Sequence, residues 1–145
     1  MNIAELIRIP LRYKPWRPRN AELVWGSLRG ATGDPQAHDV HLVAAIDWLC
    51  LAQDVRDSHP DAGGVSAGWS FEDGWLPSYP ETTGYIIETL LAADQVLQRP
   101  DLVGRAQRMI DWELSIQMPD GAFPGHFGET GSRPVIFNTG RSCTA

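Results

Sequence analysis

The chain has 145 residues, of which 43% are hydrophobic and 21% charged, and a formal net charge of −6. This is the composition of a globular protein, and no apolar stretch approaches the roughly 18 to 20 residues needed to span a bilayer, so no transmembrane segment is expected. Charge is uneven: residues 1–30 hold six basic and two acidic residues, which leaves residues 31–145 at −10 and disfavours nucleic acid as a partner of the body.

Residues 1–36 read as an irregular basic leader. Ile3, Leu6, Ile7 and Ile9 are interrupted by Glu5 and Arg8, too short and too broken for a secretory signal, and a cytoplasmic location follows by default. Pro10, Pro15 and Pro18, followed by Gly26, Gly30 and Gly33, argue against any long helix here. The run Arg12-Tyr13-Lys14-Pro15-Trp16-Arg17-Pro18-Arg19 is expected to be an extended arm that packs on the body or links it, with an anionic membrane or partner surface as the alternative.

Three helices follow. Val40, Leu42, Val43, Ile46, Leu49 and Cys50 recur at helical spacing between about 38 and 55, with Asp39 placed to cap the start. A second helix is expected from Thr82 or Thr83 to about Leu97, and a third from Asp101, its cap, to Gln117. The short link at Pro100 makes these two antiparallel neighbours. The loops 56–80 and 118–136, rich in glycine, aromatics and acids, are long for mere connections. Very little sheet is expected. Asn138-Thr139-Gly140 reads as the entry to another helix, and the chain then stops at Ala145 with no apolar run.

A phrase is written twice along this chain. Trp48-x4-Gln53-x7-Asp61-x-Gly63 and Trp112-x4-Gln117-x2-Asp120-Gly121 place their tryptophans 64 residues apart. Helical repeats stack, and their loops emerge at one end of the stack and converge on one surface. Trp48, Trp112, Gln53 and Gln117 are expected at the interface between repeats. A glutamine at a helix end can satisfy backbone groups of the following loop.

Those loops hold the chemistry. Gly74-Trp75-Leu76-Pro77-Ser78-Tyr79-Pro80-Glu81 combines two prolines, aromatic rings and a carboxylate at a helix start. Aromatic faces beside hydrogen-bonding acids suit a sugar, which offers apolar C–H faces and hydroxyl edges. Glu81 also has a competing role against the helix macrodipole. Asp61, Asp120, His126 and Glu129 supply further groups, and glycoside chemistry uses one carboxyl as acid and another as base or nucleophile. His126 is either a proton shuttle or a loop anchor. His38 and His41 lack a third ligand, and Cys50, in a helical pattern, and Cys143, near the end, form neither a disulfide framework nor a zinc site; no metal or cofactor is expected.

Taken together, Ala-Ile-Asp-Trp-Leu-x3-Gln-Asp, Gly-Gly-Val-Ser, Ser-Tyr-Pro-Glu-Thr-Thr-Gly-Tyr-Ile-Ile, Asp-Trp-x-Leu-Ser-Ile-Gln, Asp-Gly-Ala-Phe-Pro-Gly and Phe-Asn-Thr-Gly resemble the bacterial α/α-toroid proteins of polysaccharide-biosynthesis gene clusters. Their architecture is related to the six-hairpin glycosidases and terpenoid-cyclase toroids. The resemblance covers about residues 38–140. It implies an all-α fold, with residues 37–145 forming a partial toroid of helical hairpins, C-terminally truncated or completed by self-association. It further implies a carbohydrate-active protein of the hydrolase, lyase or epimerase kind, with a glycan as partner; the alternatives are a non-catalytic glycan-binding or assembly component of an exopolysaccharide machine, or an inactive fragment. The residues it singles out are Tyr79, Glu81, Thr82, Tyr85, Asp120 and Asn138. Of these, Glu81 and Asp120 are the acid/base candidates, and Tyr79, Thr82, Tyr85 and Asn138, with Trp75 and His126 from the loops, the substrate-binding candidates. Neither Asp-rich motifs nor an Asp, Cys and His zinc set is found, which disfavours a lipid cyclase or prenyltransferase.

Overall fold

A computed structural model describes residues 8, 11–30, 36–125, 127 and 132–142. The protein is mostly helical, in the order α1 (Pro18–Arg29), α2 (His38–Asp54), a hairpin of β1 (Trp69–Ser70) and β2 (Gly74–Trp75), α3 (Pro80–Leu97), α4 (Asp101–Ile116) and α5 (Ile136–Ser142). Among the described residues no helix is long and apolar enough to cross a membrane.

The helix α1 was not expected, and its start shows why the prolines mislead. Pro18 occupies the first turn, after an extended Arg17. There its missing N–H would have had no intrahelical partner and its fixed φ already suits a helix. Gly30, at φ 69°, ends the helix. The segment before α1 is docked on the hairpin. Asn20, buried, donates from Nδ2 to the carbonyls of Tyr13 (2.8 Å), Lys14 (3.2 Å) and Phe71 (3.2 Å). Arg12 Nε pairs with Glu72 at 2.6 Å, and Lys14 Nζ donates to the Glu72 carbonyl at 3.0 Å. The arm therefore packs on the body.

One expected helix start shifts, again because of a proline. Pro80 takes the first turn of α3 after Tyr79, two residues ahead of the threonines. Thr83 is buried and spends its hydroxyl on the preceding loop instead of a cap. Asp39 and Asp101 lie in the first turns of α2 and α4 without making a side-chain cap, a position where a carboxylate still interacts favourably with the macrodipole.

The core lies between α2, α3, α4 and the first loop: Ile46, Cys50 and Ala52 meet Val65, Ile86, Ile87, Leu90, Ala93, Leu102, Ala106 and Met109. Burial raises the Cys50 thiol pKa, and the residue serves as a small core hydrophobe. Only Gln98, Arg99 and Pro100 separate α3 from α4, which pack along each other, and α5 packs on α3. Arg105 of α4 grips Asp54 of α2 through two hydrogen bonds of 2.6 and 3.0 Å. The expected core face of α2 is only half used. Ile46 and Cys50 are buried, whereas Val40, Leu42 and Val43 are exposed, because the core lies against the C-terminal half of the helix.

Candidate functional site: two repeated loops and an aromatic groove

The repeat read from two tryptophans extends through the loops as a shared hydrogen-bond pattern. In the first unit the Gln53 side chain donates to the Gly63 carbonyl at 2.9 Å; in the second Gln117 donates to that of Gly121 at 3.0 Å. Both glycines need positive φ, 102° and 84°. Two residues on, the Val65 N–H donates to Thr83 Oγ1 (3.0 Å) and the Phe123 N–H to Thr139 Oγ1 (2.9 Å). Each threonine hydroxyl then donates to a carbonyl four residues back, Tyr79 or Val135, at 2.9 and 3.0 Å. The same two residues close each loop, Tyr79 N–H onto Val65 and Val135 N–H onto Phe123, and single bridges follow at Ser66–Ser78 and Pro124–Pro134. One threonine thus ties the start of α3, and another that of α5, to the loop that leads into it.

The match corrects one expected equivalence. Counting from Gly63 and Gly121, Asp61 corresponds to Pro119 and Asp120 to Ala62, so the two aspartates are not counterparts. Their surroundings differ accordingly. Asp61 receives two hydrogen bonds from the buried Arg56, at 2.7 and 3.0 Å, and one from the Ser78 backbone N–H at 2.5 Å. Burial pulls its pKa up, but these donors together outweigh it and hold the carboxyl at about 2. Asp61 is a structural anion that closes the first loop. Asp120 is exposed and turns back on its own chain, Oδ1 accepting the Ala122 N–H at 3.1 Å.

The remaining sequence candidates fall into two groups. Tyr79, Glu81 and Thr82 are half-buried at the start of α3, with Tyr85 exposed one turn further. The second loop returns to this end, where the Phe127 ring meets that of Tyr79 at 5.7 Å. Counting from Thr83 and Thr139, Thr82 and Asn138 hold the same position in their units, and Glu81 corresponds to Phe137, which carries no acid. Asn138 is buried and donates to the Pro124 carbonyl at 2.9 Å, so its amide holds the loop. Among the described residues no hydrogen bond or ion pair joins Glu81 to Asp120, and no group of three or more His, Cys, Asp or Glu side chains could hold a metal ion. His126 and Glu129 lie outside the described residues, as does Cys143.

Trp75 belongs elsewhere. Its cross-strand partner in the hairpin is Trp69, and its ring lies 5.5 Å from that of Trp48. Trp69 in turn meets Phe71 edge-on at 5.2 Å, and Phe71 meets Tyr13 at 5.8 Å. Between this aromatic hairpin and the start of α1 runs a groove of about 390 Å³, lined by Trp69, Phe71, Trp75, Asp73, Arg17 and Arg19 among others. The Arg19 guanidinium lies over both indoles, 5.4 Å from the Trp69 ring and 6.0 Å from Trp75. Sequence reading noticed the basic arm and the aromatic loop separately. It had no signal that Asn20 would bring them together across some fifty residues.

Compared with known proteins, the chain matches no family model, no curated protein and no solved structure.

Proposed function

We propose that this protein handles glycans: it is part of an α/α toroid whose inter-helix loops present aromatic and polar surface to a bacterial polysaccharide, and its task is binding. The observation that carries this reading is the groove beside the hairpin, where Trp69, Phe71 and Trp75 are half-buried next to Arg17, Arg19, Ser70 and Asp73. Such a wall offers apolar faces to sugar C–H groups with hydrogen-bonding groups at its rim. The twice-built loop supports the toroid part of the proposal, since a stacked repeat delivers its loops to one end.

A catalytic reading needs a second carboxylate beside Glu81, and Asp120 is committed to its own turn. The test is a tryptophan-fluorescence titration with oligosaccharides on the native chain and its variants. Trp69→Ala is expected to weaken binding at least about tenfold, the effect of losing one stacking platform of about 1.5 kcal/mol. Glu81→Gln and Asp120→Asn are expected to bind as the native chain does. Turnover of a glycan that disappears in Glu81→Gln, with Trp69→Ala unaffected, would replace this reading by the enzymatic one.

A further inference from the structure

The groove differs in charge from the body that carries it. Four basic residues come to the hairpin from the N-terminal arm, and two of them are used up internally: Arg12 pairs with the Glu72 carboxylate and Lys14 with its carbonyl. Arg17 and Arg19 both line the groove and, among the described residues, neither has a carboxylate within ion-pair distance. The one acid on the rim, Asp73, accepts from Ser70 Oγ at 3.5 Å within the hairpin turn. In a chain with net charge −6, Arg12, Arg56, Arg99, Arg105 and Arg108 each have a carboxylate partner; Arg29, over the Trp25 ring, has none among the described residues, but Arg17 and Arg19 are the two such arginines that line this groove.

Stacking explains how Arg19 is held. A guanidinium lying over an indole uses its flat face for the cation–π contact and keeps its N–H edge for in-plane hydrogen bonds to an oxyanion. The contact with two rings restrains the exposed Arg19 side chain before any ligand arrives, which lowers the entropic cost of using it. A bidentate carboxylate is the geometry that edge matches best.

From this, resting on the glycan reading above, we infer that the groove between α1 and the β1–β2 hairpin takes an acidic sugar, a uronate-type residue. Its carboxylate lies on Arg17 and Arg19, and its ring packs against the Trp69 and Trp75 side.

The experiment titrates the full chain with oligogalacturonate, oligoglucuronate and alginate oligosaccharides, and with neutral cello- and malto-oligosaccharides of equal length. Fluorescence is read at low and at moderate salt. At least one acidic series is expected to bind tenfold or more tightly than the neutral ones, with the advantage shrinking as salt rises. Arg17→Gln, which leaves the stacked arginine in place, is expected to lose several-fold of the acidic preference, and Arg17→Gln with Arg19→Gln all of it. Arg17→Lys should restore part of the loss, with unchanged circular dichroism showing that each variant folds. Equal affinity for neutral and acidic sugars overturns this inference and leaves the glycan reading standing; no binding of any sugar overturns both. Acidic binding that survives the double variant places the anion elsewhere, and tighter binding of oligo-dT than of any uronate makes the groove a nucleic-acid site. Either result rejects the assignment.

Discussion

The two units share one loop design and differ in what lies over it. In the first, α4 covers the loop: Trp112, 6% exposed, sits against Gly63 and Gly64, and Gln53 is fully buried, also donating to the Arg105 carbonyl at 3.2 Å. In the second, Gln117 is exposed and, among the described residues, nothing lies within 4 Å of where a Gly121 side chain would be. Trp48, the counterpart of Trp112, is 49% exposed, its ring 5.5 Å from that of Trp75. The shared hydrogen bonds are thus more deeply buried in the first copy: Val65–Thr83 is buried where Phe123–Thr139 is partly buried, although Phe123 itself is 2% exposed, and the Gln117 and Thr139–Val135 bonds are exposed. A bond of fixed geometry contributes more where its loss would leave a buried group unsatisfied.

The comparison can be broken most severely at Asp61, which has no equivalent in the second unit. Asp61→Ala leaves the buried Arg56 uncompensated and is expected to cost about 3 kcal/mol in urea unfolding, whereas Asp120→Ala should cost under about 1 kcal/mol. The native chain should reveal the same group by acid titration. The folded pKa of Asp61, about 2, lies below its ordinary value of 3.8. Its contribution is therefore complete above the ordinary value and is lost as pH falls from about 4 through about 2, by roughly 2 kcal/mol. Asp61→Asn should flatten this part of the stability profile.

Gly63→Ala is next. The new methyl would lie 2.9 Å from the Arg108 carbonyl oxygen and 3.1 Å from Trp112 Cβ, on a backbone with φ 102°, so a loss of about 3 kcal/mol is expected in thermal or urea melts. Gly121→Ala meets no atom of the described residues, and its φ of 84° costs about 1 kcal/mol. Gln53→Ala should cost about 2 kcal/mol through the carbonyls it leaves unpaired, and Gln117→Ala under about 0.5 kcal/mol. The smallest pair is Thr83→Val, about 1 to 2 kcal/mol for the buried Val65 N–H left without an acceptor, against less than about 1 kcal/mol for Thr139→Val. Equal losses within each pair would mean that the second loop is buried as deeply as the first.

Much of the fold was legible because periodicity and punctuation are local. The ranges of α2, α3 and α4 emerged to within a few residues, the antiparallel placing of α3 and α4 followed from a short link, and Gln53 was expected to serve its loop. Three features were hidden for physical reasons. Pro18 and Pro80 look like breakers until each is seen in a first helical turn, where no N–H is needed. The Thr83 and Thr139 hydroxyls look like caps, and their loop partners lie 18 and 16 residues upstream. Asp61 and Asp120 align as letters because each comes shortly before a glycine, two residues on in the first loop and one in the second, whereas hydrogen bonding sets the true register. The site was least legible of all. Trp75 stood out by type, but the groove depends on Asn20 gripping Phe71 and on Arg19 over two indoles, pairings that no local pattern encodes.

The claim that one loop is built twice, and buried more deeply in its first copy, is tested most directly by amide hydrogen exchange at Val65 and Phe123. These two N–H groups donate to equivalent threonine hydroxyls. Both should exchange more slowly than the unpaired amides around them, and Val65 should be the slower by at least about tenfold, the factor that 1.4 kcal/mol of extra local stability gives. Free exchange at Phe123 would deny that the second copy of the device exists, and equal protection at the two sites would contradict the difference drawn between them.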